Sequence, residues 1–224
     1  DEVLLQAFTC VVVANAVTNL GAKPVYVDCG NDYLINPGLL EKAITPHTKA
    51  IIVQHTFGAG ADLDKIIAIA RQHNLAVVED CAHALGGYDS AGRLLGTAGD
   101  VAMFSFGSDK VISGVRGGMI ITNNLVLGIK LRDLQTKLPN FPIRKELQHL
   151  LHPIYFFWGK KMYHLGLGKI KLYLAKKLHI INRIIEDPEK QGKVPSYFPA
   201  KLPATLATLA LRQIKNLDDW NAKR

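Results

Sequence analysis

Between Val3 and Thr122 short apolar runs alternate with stretches whose apolar residues recur every three or four positions. Runs of four or five apolar residues bounded by turn-forming residues read as buried strands, and the longer periodic stretches read as helices. The pattern predicts strands near Val3–Gln6, Pro24–Val27, Ala50–Gln54, Ala76–Glu79, Val101–Phe104 and Gly118–Thr122. It predicts helices over Val11–Leu20, Pro37–Ala43, Leu63–His73 and, capped by Asn123–Asn124, Leu125–Lys137. Such alternation is the signature of an α/β domain with a largely parallel sheet. After Lys137 the pattern changes. Pro139 and Pro142 interrupt the chain, and a helical stretch follows with no acidic residue from Leu147 to Ile185. A second proline-rich stretch, Pro195, Pro199 and Pro203, precedes a helix-forming segment over Ala204–Trp220. We therefore divide the chain into 1–137, a basic helical insertion with its proline-rich connection at 138–203, and a terminal helix at 204–224.

Composition is ordinary for a globular protein, with 48% hydrophobic and 21% charged residues in 224. Its net charge of +8 would suggest a nucleic-acid partner were it spread over the chain. Instead residues 137–201 hold thirteen Lys and Arg against four Asp and Glu, a net +9, and the remainder, with fourteen basic and fifteen acidic residues, is −1. No basic and aromatic interleaving marks residues 1–136, so we expect no nucleic-acid partner. The three cysteines, Cys10, Cys29 and Cys81, are too few and too irregular for a disulfide framework or zinc knuckle, which points to a reducing compartment, the cytoplasm. The chain opens on Asp-Glu-Val-Leu-Leu with neither a basic leader nor a starting methionine, and we expect it to be part of a longer protein.

Two motifs carry the candidate chemistry. The predicted strand Ala76–Glu79 runs into Asp80, followed by Cys81-Ala82-His83-Ala84-Leu85-Gly86-Gly87. In open α/β sheets ligands bind beyond the carboxyl ends of the strands, so a carboxylate there faces a site, although an isolated strand-end Asp more often caps a turn. Thirty residues on, Phe104-Ser105-Phe106-Gly107-Ser108-Asp109-Lys110 leaves another strand, with Gly114, Gly117 and Gly118 behind it. A lone loop lysine is usually solvated. Its pairing with Ser105 and the glycines weighs against that.

Together these motifs resemble the DegT/DnrJ/EryC1/StrS family of pyridoxal 5'-phosphate (PLP)-dependent sugar aminotransferases. That pattern pairs a strand-end Glu-Asp-x-Ala-Gln/His with a downstream Ser-Phe-x-x-x-Lys and a Gly-Gly turn. The match runs from about Glu2 to Asn124, and the terminal helix resembles the one that follows the family's active site. The resemblance implies the large domain of a fold-type-I PLP enzyme, with a mostly parallel mixed sheet flanked by helices. It implies that Lys110 holds the cofactor covalently through its amine. An amine attaches to an aldehyde only when neutral, so the lysine must be partly desolvated. Asp80 is then placed against the pyridine nitrogen, His83 near the phenolic oxygen and Ser105 at the phosphate. Relatives that act as sugar dehydratases carry histidine in place of the lysine, so Lys110 favours amino transfer. The implied reactants are an amino-acid donor, glutamate, and a nucleotide-linked keto-sugar, on a homodimer with shared active sites.

The sequence departs from the family in three places. The aromatic residue that stacks on the cofactor lies five positions before the Asn of the first helix; from Asn15 that position is Cys10, and Phe8 is the candidate two residues earlier. The Gly-x-Asn-x-Arg segment before the final helix reads Tyr197-Phe198-Pro199-Ala200-Lys201, which leaves only Lys201 to replace its Arg. The family's phosphate-cradling helix N-terminus and small C-terminal domain have no counterpart in these residues, so we expect the chain by itself to bind PLP weakly or not at all. Two further functions stay open: another fold-type-I reaction such as elimination or desulfuration, and a non-catalytic binding or regulatory protein that keeps the fold.

The basic insertion has its own reading. Its longest uncharged run, Leu147–Gly159, falls short of the ~20 residues that cross a bilayer. The simpler expectation is a helical excursion packed on its own domain or a dimer partner, with the lysines solvated. The other is an amphipathic basic helix, with Tyr155 and Trp158 at its apolar edge, in weak contact with a membrane surface through 147–185. His149, His152, His164 and His179 lack carboxylates or cysteines at ligand spacing, so no metal site is expected there.

Overall fold

The computed structural model describes residues 1–223 apart from 179, 182 and 184. Six strands form one sheet: β1 (Glu2–Gln6), β2 (Lys23–Val27), β3 (Thr48–Gln54), β4 (Ala76–Asp80), β5 (Val101–Ser105) and β6 (Gly118–Ile121), in the order β2-β1-β3-β4-β5-β6. All neighbours are parallel except β5 and β6, which pair antiparallel. The sheet is therefore mixed and mostly parallel, and the predicted strands fall within two residues of the observed ones.

Side chains alternate across the sheet as the period of two requires. Leu4, Ile51, Val53 and Val77 pack on one face beneath α2 (Pro37–Lys42) and α3 (Leu63–Gln72), which contribute Leu40, Leu63, Ile66 and Ala70. Leu5 and Ile52 point the other way, onto Ala14 and Val17 of α1 (Val11–Asn19). The helix starts follow from capping: Asn36 accepts from Gly38 N, Asp62 from Lys65 N and Asn124 from Leu127 N, the last opening α4 (Leu125–Lys137).

The insertion is helical. It comprises α5 (Ile143–Lys161), α6 (Leu167–Lys177) and the short α7 (Asp187–Lys190), whose end is tied to α1 by Asn15 Nδ2 donating to the Glu189 carbonyl at 2.7 Å. Of the insertion's histidines, His149 is buried against the Phe141 ring and His152 stacks on Phe156; His179 lies outside the described residues. The predicted terminal helix is broken in two, α8 (Ala204–Ile214) and α9 (Leu217–Asn221), with Lys215 and Asn216 between them. The break turns α9 back over the sheet edge. Phe106, Ile112, Ala210, Leu217 and Trp220 form a small separate core there.

Candidate active site

Strands β1, β3, β4 and β5 run the same way, so their carboxyl ends meet on one edge, where the predicted site residues lie. Asp80 ends β4 and is 5% exposed. Its Oδ1 accepts the Ala82 N–H at 3.0 Å. Burial pushes the Asp80 carboxyl above its ordinary range, against the Ala82 N–H and the positive charge of His83 and Lys110, which pull it down.

Lys110 leaves a tight turn in which its N–H donates to the Gly107 carbonyl at 3.1 Å. Its side chain is 15% exposed, and Nζ lies 3.0 Å from the Asp109 carboxylate. Lys110 and His83 line one cleft of about 270 Å³ together with Ala82, Asp109, Val111 and Trp220. Asp80 lies behind Ala82, within electrostatic reach of both.

The other two predicted residues stand further off. Ser105, at the end of β5, accepts the Gly107 N–H on Oγ at 3.3 Å, so its hydroxyl proton is free to be donated elsewhere. Phe8 is 45% exposed and packs on Tyr33 and Phe57, with ring centroids 5.1 and 6.1 Å apart. Phe57 in turn stacks on His83, 5.9 Å between centroids and 13° from coplanar. An aromatic row thus joins Phe8 to the cleft. Phe57 holds φ at 55°, a strained conformation for a bulky residue, and that turn aims its ring at His83. A buried network fixes the row's base: Gln6 Nε2 donates to the Phe8 carbonyl (2.6 Å) and to Thr56 Oγ1 (2.8 Å), which donates to the Tyr33 carbonyl (3.1 Å).

Three participants escaped the sequence reading. Phe57 sits in the turn three residues past β3 without a motif around it, and only its place beyond a strand's carboxyl end could have marked it. Trp220 and Asn221 are 110 and 111 residues from Lys110 and arrive only because the last helix breaks. Asn221 Nδ2 donates to the Leu85 carbonyl at 2.9 Å and so pins the loop after Asp80. Gly86 permits this approach: it holds φ at 72°, and a Cβ there would lie 2.8 Å from Asn221 Nδ2. On α8, Gln213 grips Ser113 twice, accepting its N–H at 3.2 Å and donating to its carbonyl at 2.7 Å, which pins the loop after Lys110. The terminal helices therefore hold both halves of the site together.

Beneath the site, Glu79 and His55 are fully buried with Nε2 and Oε2 3.1 Å apart. Glu79 Oε2 also accepts from Gly96 N (2.8 Å), and Oε1 from Ala98 N (2.8 Å) and Gly99 N (2.6 Å). His55 Nδ1 accepts from Ala61 N, so Nε2 carries the proton. The Cys81 thiol lies near both, but with the Glu79 and His55 acceptors already engaged the group is structural, an anchor for the strand end that bears Asp80. Burial beside Glu79 and Asp80 pushes the Cys81 thiol far up, which removes it as a nucleophile for desulfuration. Cys10 is exposed.

The model of the DegT/DnrJ/EryC1/StrS aminotransferase family matches residues 1–149. The chain belongs to that family. Among its relatives, GDP-perosamine synthase of Caulobacter vibrioides is 44% identical over 138 residues, 60% of this chain and 36% of that protein. The solved DegT/DnrJ/EryC1/StrS aminotransferase from Brucella abortus aligns over 97% of this chain and 48% of its own, with TM-score 0.64 and 25% identity. NtdA from Bacillus subtilis, solved with bound cofactor PMP, aligns over 55% of this chain and 28% of its own, with TM-score 0.50 and 35% identity. The chain thus spans between 28% and 48% of the length of these relatives. Its sheet and flanking helices are the α/β large-domain fold of the DegT/DnrJ/EryC1/StrS aminotransferases. Among the described residues no helix is long and apolar enough to cross a membrane.

Proposed function

We propose that the protein containing this chain is a PLP-dependent aminotransferase that moves an amino group from L-glutamate to a nucleotide-linked keto-sugar, in cell-surface or secondary-metabolite sugar synthesis. The observation that carries this reading is one cleft at the sheet's carboxyl edge lined by Lys110 and His83, with the buried carboxylate of Asp80 within electrostatic reach of both. A relative named for a nucleotide-sugar product, GDP-perosamine synthase, and another solved with PMP support the substrate and cofactor classes.

The residues fit PLP by the chemistry of Asp80. A desolvated carboxylate held by a single backbone N–H suits a protonated ring nitrogen, whose N–H⁺ would offset the cost of burying the charge. PLP, when bound, supplies an electron-withdrawing ring that stabilises negative charge at the substrate carbon. Asp80 would hold the proton at the ring nitrogen. Lys110 would bind the cofactor through Nζ and, once displaced by the donor's amine, carry a proton between substrate Cα and the adjacent cofactor carbon. His83, held by the Phe57 ring, would orient the cofactor's phenolic oxygen, and the Ser105 hydroxyl would donate to the phosphate. Phe8, through the same aromatic row, is the candidate for covering the ring.

On this reading 1–137 carry the cofactor site, 138–203 are an insertion and 204–224 lead toward a small C-terminal domain. The enzyme works as a cytoplasmic homodimer with shared active sites; the free state of all three cysteines is in keeping with that compartment. Lys110→Ala tests the assignment. Borohydride reduction followed by mass spectrometry should find PLP attached to Lys110 in the parent protein and to no residue in the variant, with glutamate-dependent formation of pyridoxamine phosphate lost. An unchanged adduct, or normal turnover by the variant, refutes it.

A further inference from the structure

We propose that the helical hairpin α5–α6 docks on the surface of an anionic phospholipid bilayer. Amphipathic helices in a folded protein normally turn their apolar stripe inward. Here α5 presents Leu147, Leu151, Ile154 and Trp158, spaced four, three and four residues apart, at 40 to 54% exposure. The second helix and its cap present Leu167, Ile170, Leu174 and Leu178 on a second stripe, at 46 to 66% exposure. What α5 buries is instead His149 and Gly159. A Cβ on Gly159 would lie 2.5 Å from Leu172 Cγ, so that glycine lets the two helices close into one unit and carry both stripes together.

Charge decides the occupant. From Leu147 to Ile185 there is no carboxylate, while six lysines lie between Lys160 and Lys177. Four of them, Lys160, Lys161, Lys169 and Lys171, hold their ammonium groups 5.0 to 5.9 Å from the rings of Phe156, Trp158, Tyr163 and Tyr155. Cations beside half-exposed aromatic rings, next to bare aliphatic stripes, match the headgroup zone: leucines enter the acyl boundary, Trp and Tyr sit at the polar level, and lysines reach phosphates. A second copy of the same face would set lysines against lysines. Single-stranded nucleic acid would be met by stacking rings, whereas these two stripes are mostly Leu and Ile, which offer no stacking surface. No described helix is suited to crossing, so the contact is with the surface.

The test is sedimentation of the full chain with vesicles of phosphatidylcholine alone and of phosphatidylcholine mixed with phosphatidylglycerol. The chain should sediment with the mixed vesicles, weakly with the neutral ones, and release as salt rises. Each of K160Q and K161Q should lower the partition coefficient roughly fivefold, since a lysine at such a surface is worth about one e-fold and a half or more. Both lysines are exposed, so circular dichroism should show the variants folded. I154S should weaken binding to the same vesicles without changing the salt response. Equal partition to neutral and mixed vesicles, or unchanged binding by K160Q/K161Q, overturns the proposal. So does a failure to bind vesicles accompanied by self-association that W158S abolishes, which assigns the face to a second copy. Tighter binding to a single-stranded oligonucleotide than to mixed vesicles overturns it in favour of nucleic acid.

Discussion

Replacing Glu79 by Gln removes the acceptor on which the buried anchor depends. Each carboxylate oxygen takes two donors: Ala98 N and Gly99 N on Oε1, Gly96 N and His55 Nε2 on Oε2. A glutamine side chain keeps one oxygen. Whichever way its amide turns, the NH₂ faces two N–H donors, so two hydrogen bonds are lost and two buried donors have no acceptor. At about 1–3 kcal/mol for each buried donor left unsatisfied, the cost is roughly 2–6 kcal/mol, a large share of the ~5–15 kcal/mol that holds a domain. Equilibrium urea unfolding should show the midpoint falling by about 1–2 M with little change in slope. The pH dependence gives a second readout. The hydrogen bonds from His55, Gly99 and Gly96 outweigh burial, which alone would raise it, and hold the Glu79 carboxyl below its ordinary value. The stabilisation is therefore complete above the unfolded carboxyl's pKa of ~4.3 and is lost as pH falls through the lower folded value, so the gap between wild type and variant should narrow in that window. An E79Q midpoint within about 0.3 M of wild type at neutral pH would refute the anchor.

Asp80→Asn should have the opposite effect on stability. Because the folded Asp80 carboxyl is raised, its charged form opposes folding at neutral pH, so the cofactor-free variant should gain on the order of 1 kcal/mol there while binding PLP more weakly. The gain should vanish below the unfolded carboxyl's pKa; urea midpoints at several pH values check the sign, and a destabilised D80N at neutral pH counts against it. Gly86→Ala must hold φ at 72° with its Cβ 2.8 Å from Asn221 Nδ2 and 2.9 Å from Leu217 Cδ2. It should cost about 1–3 kcal/mol and lift α9 from the cleft. In a W158F background only Trp220 reports on this, and its fluorescence should shift red; an unshifted spectrum would mean that α9 is not seated by that approach.

Local pattern was enough to place the six strands and the first four helices of the chain, because burial with a period of two or 3.6 and caps such as Asn36, Asp62 and Asn124 act over a few residues. That Asp80 and Lys110 come to the same edge was legible for a similar reason: Asp80 ends β4, Lys110 follows five residues after β5, and parallel strands deliver their carboxyl ends to one edge. Other features depend on contacts between residues far apart in sequence. Neither the order of the strands nor the antiparallel entry of β6 follows from any single segment. Glu79 reads as one more polar residue until folding brings His55, Gly96, Ala98 and Gly99 around it. The terminal segment has helical composition throughout, yet it breaks at Lys215–Asn216, and α9 then packs Leu217 and Trp220 beside Leu85 and Phe106. Sequence thus set which residue types stand at each strand end. Tertiary packing decided which of them meet, because burial energy is gained only when distant surfaces come together.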